Sequence, residues 1–214
     1  MLRRLSRRAL DILAPERCAA CETMVAATTL FCHACRAAVN VLGTAELAGA
    51  RAFAEYDAHR RPRPVADALH AFKYRGAWRL APRLATAMVA CADAGDATPL
   101  VVPVPLHPAR LRSRGFNQSA LLAAHLARVR RWPAAPALLV RTRDTLTQTA
   151  LDLAARRANV AGAFALRRPG SARGRHILLV DDVWTSGATT SAIGRVLRDD
   201  GAAAVDVLTF ARVL

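Results

Sequence analysis

The sequence predicts an α/β fold, a mainly parallel sheet flanked by helices, preceded by a small cysteine-rich metal-binding module. Two observations carry this. Between residues 100 and 210, short apolar runs alternate with helical stretches, the pattern of strand–helix units joined by right-handed crossovers. Ahead of them, Cys18-Ala-Ala-Cys21 and Cys32-His-Ala-Cys35 place four of the five cysteines in one short window. The 214 residues, 53% of them hydrophobic, are ample for a real core and exclude a mostly disordered chain. No apolar run approaches the roughly 18–20 residues of a membrane span. The basic start, Met1 to Arg8, is followed by no long apolar stretch or small-residue cleavage site, so a cytoplasmic protein is expected.

Taken in order, two CxxC pairs ten residues apart in such a chain read as a tetrathiolate zinc site of Cys18, Cys21, Cys32 and Cys35. Four sulfurs close the tetrahedral shell, so the Zn²⁺ is structural. Disulfides are the weaker reading without an export signal. The spacer leaves room for a small hairpin, Glu22 to Phe31, and His33 reads as a surface side chain. Cys91, alone in an alanine-rich helical stretch, reads as a small buried residue. Residues 1–48 are expected to form an N-terminal helix and the zinc ribbon, and 49–214 the second domain.

Ala50 to Tyr56 has an extended pattern, and the two prolines of Arg60-Arg-Pro-Arg-Pro64 mark a turn. A helical period runs from Val65 to about Ala92 with a break near Gly76. Leu100 to Pro105 is a short buried strand. Asn117 to Arg130 is a helix with Leu121, Leu122, His125, Leu126 and Val129 on one stripe. Ala137 to Val140 is the second strand, Asp152 to Ala158 has a helical pattern, and Arg175 to Val180 is the clearest strand. A helix over Ala188 to Asp200 and a last strand, Ala204 to Phe210, complete the sheet.

The charge is +15, from 31 basic and 16 acidic residues. Lys73 is the single lysine, which reflects an arginine-biased composition. Bias does not explain basic over acidic, so a polyanionic partner is expected. From 110 to 157, ten arginines face Asp144 and Asp152, a local balance of +8. Guanidinium groups suit a diphosphate and a nucleic-acid backbone equally well.

The most informative stretch is Ile177 to Thr190. A hydrophobic strand ends in Asp181 and Asp182, a turn of small residues follows, and then a helix begins. Ligands of open α/β sheets bind beyond the carboxyl ends of the strands. The amides and hydroxyls of Thr185, Ser186, Gly187, Ala188, Thr189 and Thr190 can cradle a phosphate. The two carboxylates can take a diol, directly or through hydrated Mg²⁺. Together these describe a ribose 5-phosphate site.

Val180-Asp-Asp-Val-Trp-Thr-Ser-Gly-Ala-Thr189 resembles the 5-phosphoribosyl-1-pyrophosphate (PRPP) motif of type I phosphoribosyltransferases. Pro103 to His107, Arg114-Gly-Phe-Asn-Gln118, Arg141-Thr-Arg143, Asn159 to Phe164, Phe72-Lys-Tyr-Arg-Gly76 and the paired CxxC resemble the competence protein F (ComF) family over nearly the whole chain. Trp184 departs from the pattern, standing where a smaller residue is expected. The resemblance implies a type I phosphoribosyltransferase-like domain over 49–214, with Asp181 and Asp182 facing the ribose and metal and Thr185 to Thr190 holding the 5-phosphate. It implies a pyrophosphate loop, Leu106 to Gly115, carrying Arg110, Arg112 and Arg114. It also implies a loop from Arg141 to Asn159 in which Arg141, Arg143, Arg156 and Arg157 close over the diphosphate.

The resemblance further implies a cytoplasmic role in natural transformation. The protein would bind PRPP with Mg²⁺ and single-stranded DNA, beside a DNA-uptake helicase or recombination proteins. The alternative is an active phosphoribosyltransferase with a nitrogen acceptor, whose acceptor site would lie near Tyr74 or Tyr56. A third possibility is a scaffold without a ligand.

Overall fold

The computed structural model describes residues 16–44, 46–47, 49–59, 61–92, 97–145 and 158–214. Its centre is a five-stranded sheet. The strands are β1 (Glu46–Leu47), β2 (Ala50–Glu55), β3 (Leu100–Pro103), β6 (His176–Trp184) and β7 (Ala204–Arg212), in the order β1-β2-β7-β6-β3. The pairs β2–β7, β7–β6 and β6–β3 are parallel, and only β1 runs antiparallel, at the edge. The mainly parallel sheet with flanking helices is therefore as the sequence predicts.

Two differences from the sequence reading concern the strands. The 137–140 run does not join this sheet. It becomes β4 (Leu139–Arg141), which pairs antiparallel with β5 (Phe164–Leu166) in a separate two-stranded ribbon. A three-residue strand has no sequence signal for its partner, since pairing is non-local. The Ala50–Tyr56 segment instead enters the main sheet, with Arg51 opposite Leu208 and Ala54 opposite Ala211. Its alternating burial, Ala50, Ala52 and Ala54 inward, is the pattern of a half-buried strand.

The helices form by ordinary local rules. Helix α2 (Pro64–Tyr74) starts on a proline, whose missing N–H costs nothing in the first turn. A short 3₁₀ turn, Trp78–Leu80, leads into α3 (Ala81–Val89) after the break at Gly76. Segment 106–115, expected as a loop, contains α4 (Pro108–Arg114). Pro108 opens it and left-handed Gly115, φ 82°, ends it, with the Gly115 N–H donating to Leu111 O. Helix α5 (Gln118–Arg130) is capped by the Asn117 side chain, which accepts from the amides of Ser119 and Ala120. Its buried face is Gln118, Ser119, Leu122, Ala123, Leu126 and Ala127, rotated from the predicted stripe, and Val129 is exposed. Alanines on that face let α5 lie close to its neighbours, which apolarity alone does not reveal. Helix α6 (Ala188–Asp199) follows β6, and the helix expected over 152–158 lies mostly outside the described residues.

Burial divides along the pleat. Leu178 and Val180 of β6 pack with Leu69, Phe72, Leu84, Leu122 and Leu126, the layer of α2, α3 and α5. Ile177 and Leu179 point the other way, to Ile193 and Leu197 of α6 and to Phe164 of β5. Connections after β3 and β6 thus run on opposite faces, which opens a crevice between the carboxyl ends of these adjacent strands.

The cysteine module packs onto the first layer, with Cys18, Ala19, Phe31 and Cys35 in the same apolar cluster as Phe72. The hairpin expected at 22–31 is centred earlier: Arg17 pairs with Met24, and Glu22 turns the chain at φ 63°. Helix α1 (His33–Ala37) carries Cys35. Arg83, its side chain 9% exposed, joins the layers by donating to the carbonyls of Arg17 and Thr29 and pairing with Glu16 at 3.0 Å.

Candidate functional site: a polar cavity and a tetrathiolate cluster

The crevice holds a cavity of about 260 Å³, walled by β6, the starts of α5 and α6, and the end of α2. Contrary to the sequence reading, β6 does not end at the two acids. It continues through Trp184, with Asp181 opposite Thr209 and Trp184 opposite Arg212. Asp181 and Asp182 are thus strand residues, and both of their side chains line the cavity.

Asp181 Oδ1 accepts from Ser119 Oγ at 2.7 Å and from the Asp182 amide at 2.9 Å. Asp182, 4% exposed, forms an ion pair with Lys73, Oδ2 to Nζ 2.5 Å. Neither Ser119 nor Lys73 was a sequence-derived site residue. Lys73 carried two signals, being the only lysine in an arginine-rich chain and lying in the Phe72-Lys-Tyr-Arg-Gly76 motif of the family resemblance. Burial works against its charge, but Asp182, beside it and bonded to it, outweighs that and raises the Lys73 pKa.

Burial first, and then the charge of Asp182, push Asp181 up to about 7, against the Ser119 bond, the Asp182 amide and the Lys73 charge. Between about pH 4 and 7 the folded chain therefore keeps a proton that the unfolded chain releases. This group's contribution to stability is full below about pH 4 and is lost as the pH rises through 7. Asp181→Asn is expected to flatten the fall in melting temperature between about pH 5 and 8. An unchanged slope in the variant would contradict the assignment.

Across the cavity lie Thr185, Gly187, Ala188, Thr189 and Thr190; Ser186 does not line it, and its Oγ is buried without a hydrogen-bond partner. No side chain caps α6, whose first turn presents its amides and the positive end of the helix dipole to the cavity. Gly187 has φ 70°, and its open side faces protein: a Cβ there would lie 2.5 Å from Trp184 Cζ2. Trp184 itself is held against Arg212, 5.5 Å from the ring centre. The departure at Trp184 is thus accommodated by the bare glycine. Gly187→Ala is expected to destabilise the fold by about 1–3 kcal/mol through strain and overpacking. Adding Trp184→Ala should recover part of this in thermal melts, and equal loss in the double variant would refute the packing argument.

Of the arginines, Arg110, Arg114 and Arg141 line the cavity. Arg110 donates to Thr145 O at 2.6 Å, and Arg141 donates to Thr145 Oγ1. Burial, and then the charge of Arg110, lower the Arg141 pKa, the mark of two cations gathered at one wall. Arg114 donates to Gln118 Oε1 at 2.8 Å and lies over the Tyr74 ring.

The other candidates do not converge there. Arg112 is exposed and outside the cavity wall. Arg143 spends its guanidinium on the carbonyls of Asn159 and Ala161. Arg156 and Arg157 lie outside the described residues. Arg128, Arg130 and Arg131 stand at the far end of α5, about 20 Å from its start at 1.5 Å per residue. The +8 balance is therefore spread over two ends of the molecule.

Cys18, Cys21, Cys32 and Cys35 form a second centre, with all four Sγ atoms within 4.8 Å of one another. Cys21 Sγ and Cys32 Sγ are 3.6 Å apart, close to the roughly 3.8 Å edge of a tetrahedron with 2.3 Å Zn–S bonds. The Cys32 amide donates to Cys18 Sγ at 3.3 Å, a bond that favours thiolate. Contacts with Thr23 draw Cys21 down to about 6, while burial pushes Cys35 up. The donor set fits zinc, and His33 is exposed beside it.

The double zinc ribbon domain family matches residues 9–46. DNA utilization protein YhgH of Escherichia coli (strain K12) is 42% identical over 114 residues, 53% of this chain and 49% of that protein. The protein of the same name from Salmonella typhi is 35% identical over 157 residues, 71% of this chain and 68% of that one. Competence protein F of Haemophilus influenzae is 36% identical over 113 residues, 52% and 49%. The alignments to the first and third of these span about half of each relative's length. Among solved structures, the glutamine phosphoribosylpyrophosphate amidotransferase from B. subtilis matches with TM-score 0.39 and 24% identity, over 59% of this chain and 25% of that one. Among the described residues, no helix is long and apolar enough to cross a membrane.

Proposed function

The chain belongs to the competence protein F family, and from that premise we propose that it is a cytoplasmic DNA-utilization protein of natural transformation whose cavity takes PRPP or a related ribose 5-phosphate. One observation carries the ligand reading. An uncapped helix N-terminus, three cavity arginines and two strand carboxylates meet at the carboxyl ends of β3 and β6.

In this reading the first turn of α6, with Thr185 and Thr189, takes the 5-phosphate. Arg110 and Arg141 take the diphosphate, and Asp181 faces the sugar hydroxyls. Lys73 already neutralises Asp182. Asp181 would then be the carboxylate that holds a Mg²⁺, which would supply positive charge to the diphosphate. Zinc holds the ribbon and takes no part in this chemistry.

Single-stranded DNA is the second ligand, and exposed arginines away from the cavity are its contacts. Arg128, Arg130 and Arg131 are such a group, and Arg130 lies 4.6 Å over the Trp132 ring, an arrangement suited to a backbone and a base. Arg63 is a poorer candidate because it pairs with Asp67 at 3.0 Å. Arg3, Arg4, Arg7, Arg8 and Arg60 lie outside the described residues.

The test is one titration series with PRPP and Mg²⁺, with a single-stranded oligonucleotide, and with both. Each ligand should bind alone, the DNA with steep salt dependence, and the two should not compete. Absence of heat with PRPP at millimolar concentration would remove the ligand reading. DNA binding insensitive to salt, or absent at low salt, would remove the other.

A further inference from the structure

Arg110 and Arg141 already have partners within the chain, and both turn to the same two residues. Arg110, on α4, donates to the Thr145 carbonyl at 2.6 Å, and its Nε lies 3.7 Å from Asp144 Oδ1. Arg141, which ends β4, donates to Thr145 Oγ1. Its own Nε is buried with no hydrogen-bond partner among the described residues. Thr145 is 4% exposed, whereas the Asp144 side chain is 52% exposed. The step Asp144-Thr145 thus brings one carboxylate, one carbonyl and one hydroxyl to the two cations of the cavity wall.

The way α4 is held makes these contacts matter. None of its residues is buried, so no apolar packing fixes it. Arg110 ties it to Asp144 and Thr145, and Arg114 ties it to Gln118 and lies over the Tyr74 ring. His107 caps its start, with Nδ1 accepting from the Ala109 amide and lying 3.7 Å from Asp144 Oδ1. Exposed ion pairs are individually weak and can be exchanged for stronger ones. A diphosphate offers the same guanidinium groups more oxygens and more negative charge. Asp144 cannot share them with it, because like charges placed side by side repel strongly.

We propose that Asp144 is an internal competitor for the diphosphate. With the Thr145 carbonyl and hydroxyl it occupies Arg110 and Arg141, and the anion must displace it in order to seat. This deepens the reading of the cavity as a site for a ribose 5-phosphate carrying a diphosphate, and rests on it. The acid therefore weakens binding at the diphosphate wall alone and leaves the phosphate cradle of α6 untouched.

The experiment titrates inorganic pyrophosphate and ribose 5-phosphate separately into the full chain by calorimetry, without divalent cations. It compares the native protein, Asp144→Asn, Asp144→Ala and a charge control, Asp67→Asn, whose acid pairs with Arg63 at the start of α2. Removing the Asp144 charge should tighten pyrophosphate about tenfold in both variants, since the repulsion is lost. Ribose 5-phosphate should bind as it does to the native protein, and Asp67→Asn should change neither affinity. Pyrophosphate binding equal to native in the Asp144 variants would overturn the competitor while the diphosphate wall stands. An equal gain for ribose 5-phosphate, or an equal gain in Asp67→Asn, would overturn it too, by showing a general charge effect. If pyrophosphate binds to none of the four proteins, the diphosphate reading of Arg110 and Arg141 itself fails, and the competitor with it.

Discussion

Lys73→Met should lower stability by about 3–5 kcal/mol, the cost of leaving a buried carboxylate without its partner. Asp182 is 4% exposed and its other oxygen accepts only the Val183 amide of its own strand among the bonds described. Lys73 reaches it from α2, with its side chain 21% exposed. Taking away the cation leaves Asp182 to protonate or to admit water, and both disturb a strand in the middle of the sheet. For a chain of this size the loss corresponds to a fall in melting temperature of roughly 10 °C. Lys73→Met combined with Asp182→Leu removes both charges and should regain much of the loss, since apolar replacements of a buried pair are often neutral. The measurement is a thermal melt of the three variants at neutral pH. A single variant that melts with the native protein, or a double variant as unstable as the single, would mean that the pair is not a buried unit.

The second large effect is expected at the ribbon. Cys35→Ser should abolish stoichiometric zinc, taking the content from about one per chain to near zero. Structural zinc contributes on the order of 10 kcal/mol in isolated zinc-finger peptides. The loss should spread, because Cys18, Ala19, Phe31 and Cys35 belong to the cluster that contains Leu69 and Phe72. Phe72 precedes Lys73 on α2, so a loosened ribbon removes support from the helix that holds Asp182. Metal analysis under reducing conditions, with limited proteolysis, checks both parts. Full zinc in Cys35→Ser would refute the ligand set. Loss of zinc without new cleavage in 16–44 would refute the structural role.

What was legible in the sequence was what local chemistry encodes. Four cysteines in a short window, an apolar run before Asp181 and a small-residue turn before α6 are each complete within a few residues. The pairing of Lys73 with Asp182 is not, because the partners are brought together only by packing α2 on the sheet. Ser119 was hidden for the same reason, although its position follows from the Asn117 cap that starts α5. Helix α4 was legible, since Pro108 and Gly115 are its start and stop signals, but the family resemblance implied a pyrophosphate loop over the same residues. The arginine cluster failed in the opposite way. Proximity along the chain gathered ten cations that a thirteen-residue helix then separates. A charge count has no direction, and α5 supplies one.

The position of β7 has a consequence for the order in which the molecule can be built. This strand lies between β2 and β6, so the early segment at 50–55 has no parallel partner until residues 204–212 exist. On the ribosome, the ribbon, α2 and α3 must wait with one side of their sheet unfinished. Contacts of such sequence separation slow closure, and the waiting strand is an open edge of the kind that invites wrong pairing. Its burial pattern is carried by three alanines, Ala50, Ala52 and Ala54, which are poor strand formers and weak glue between strangers. A segment that must stay unpaired during synthesis is thus made of residues that gain little by pairing early.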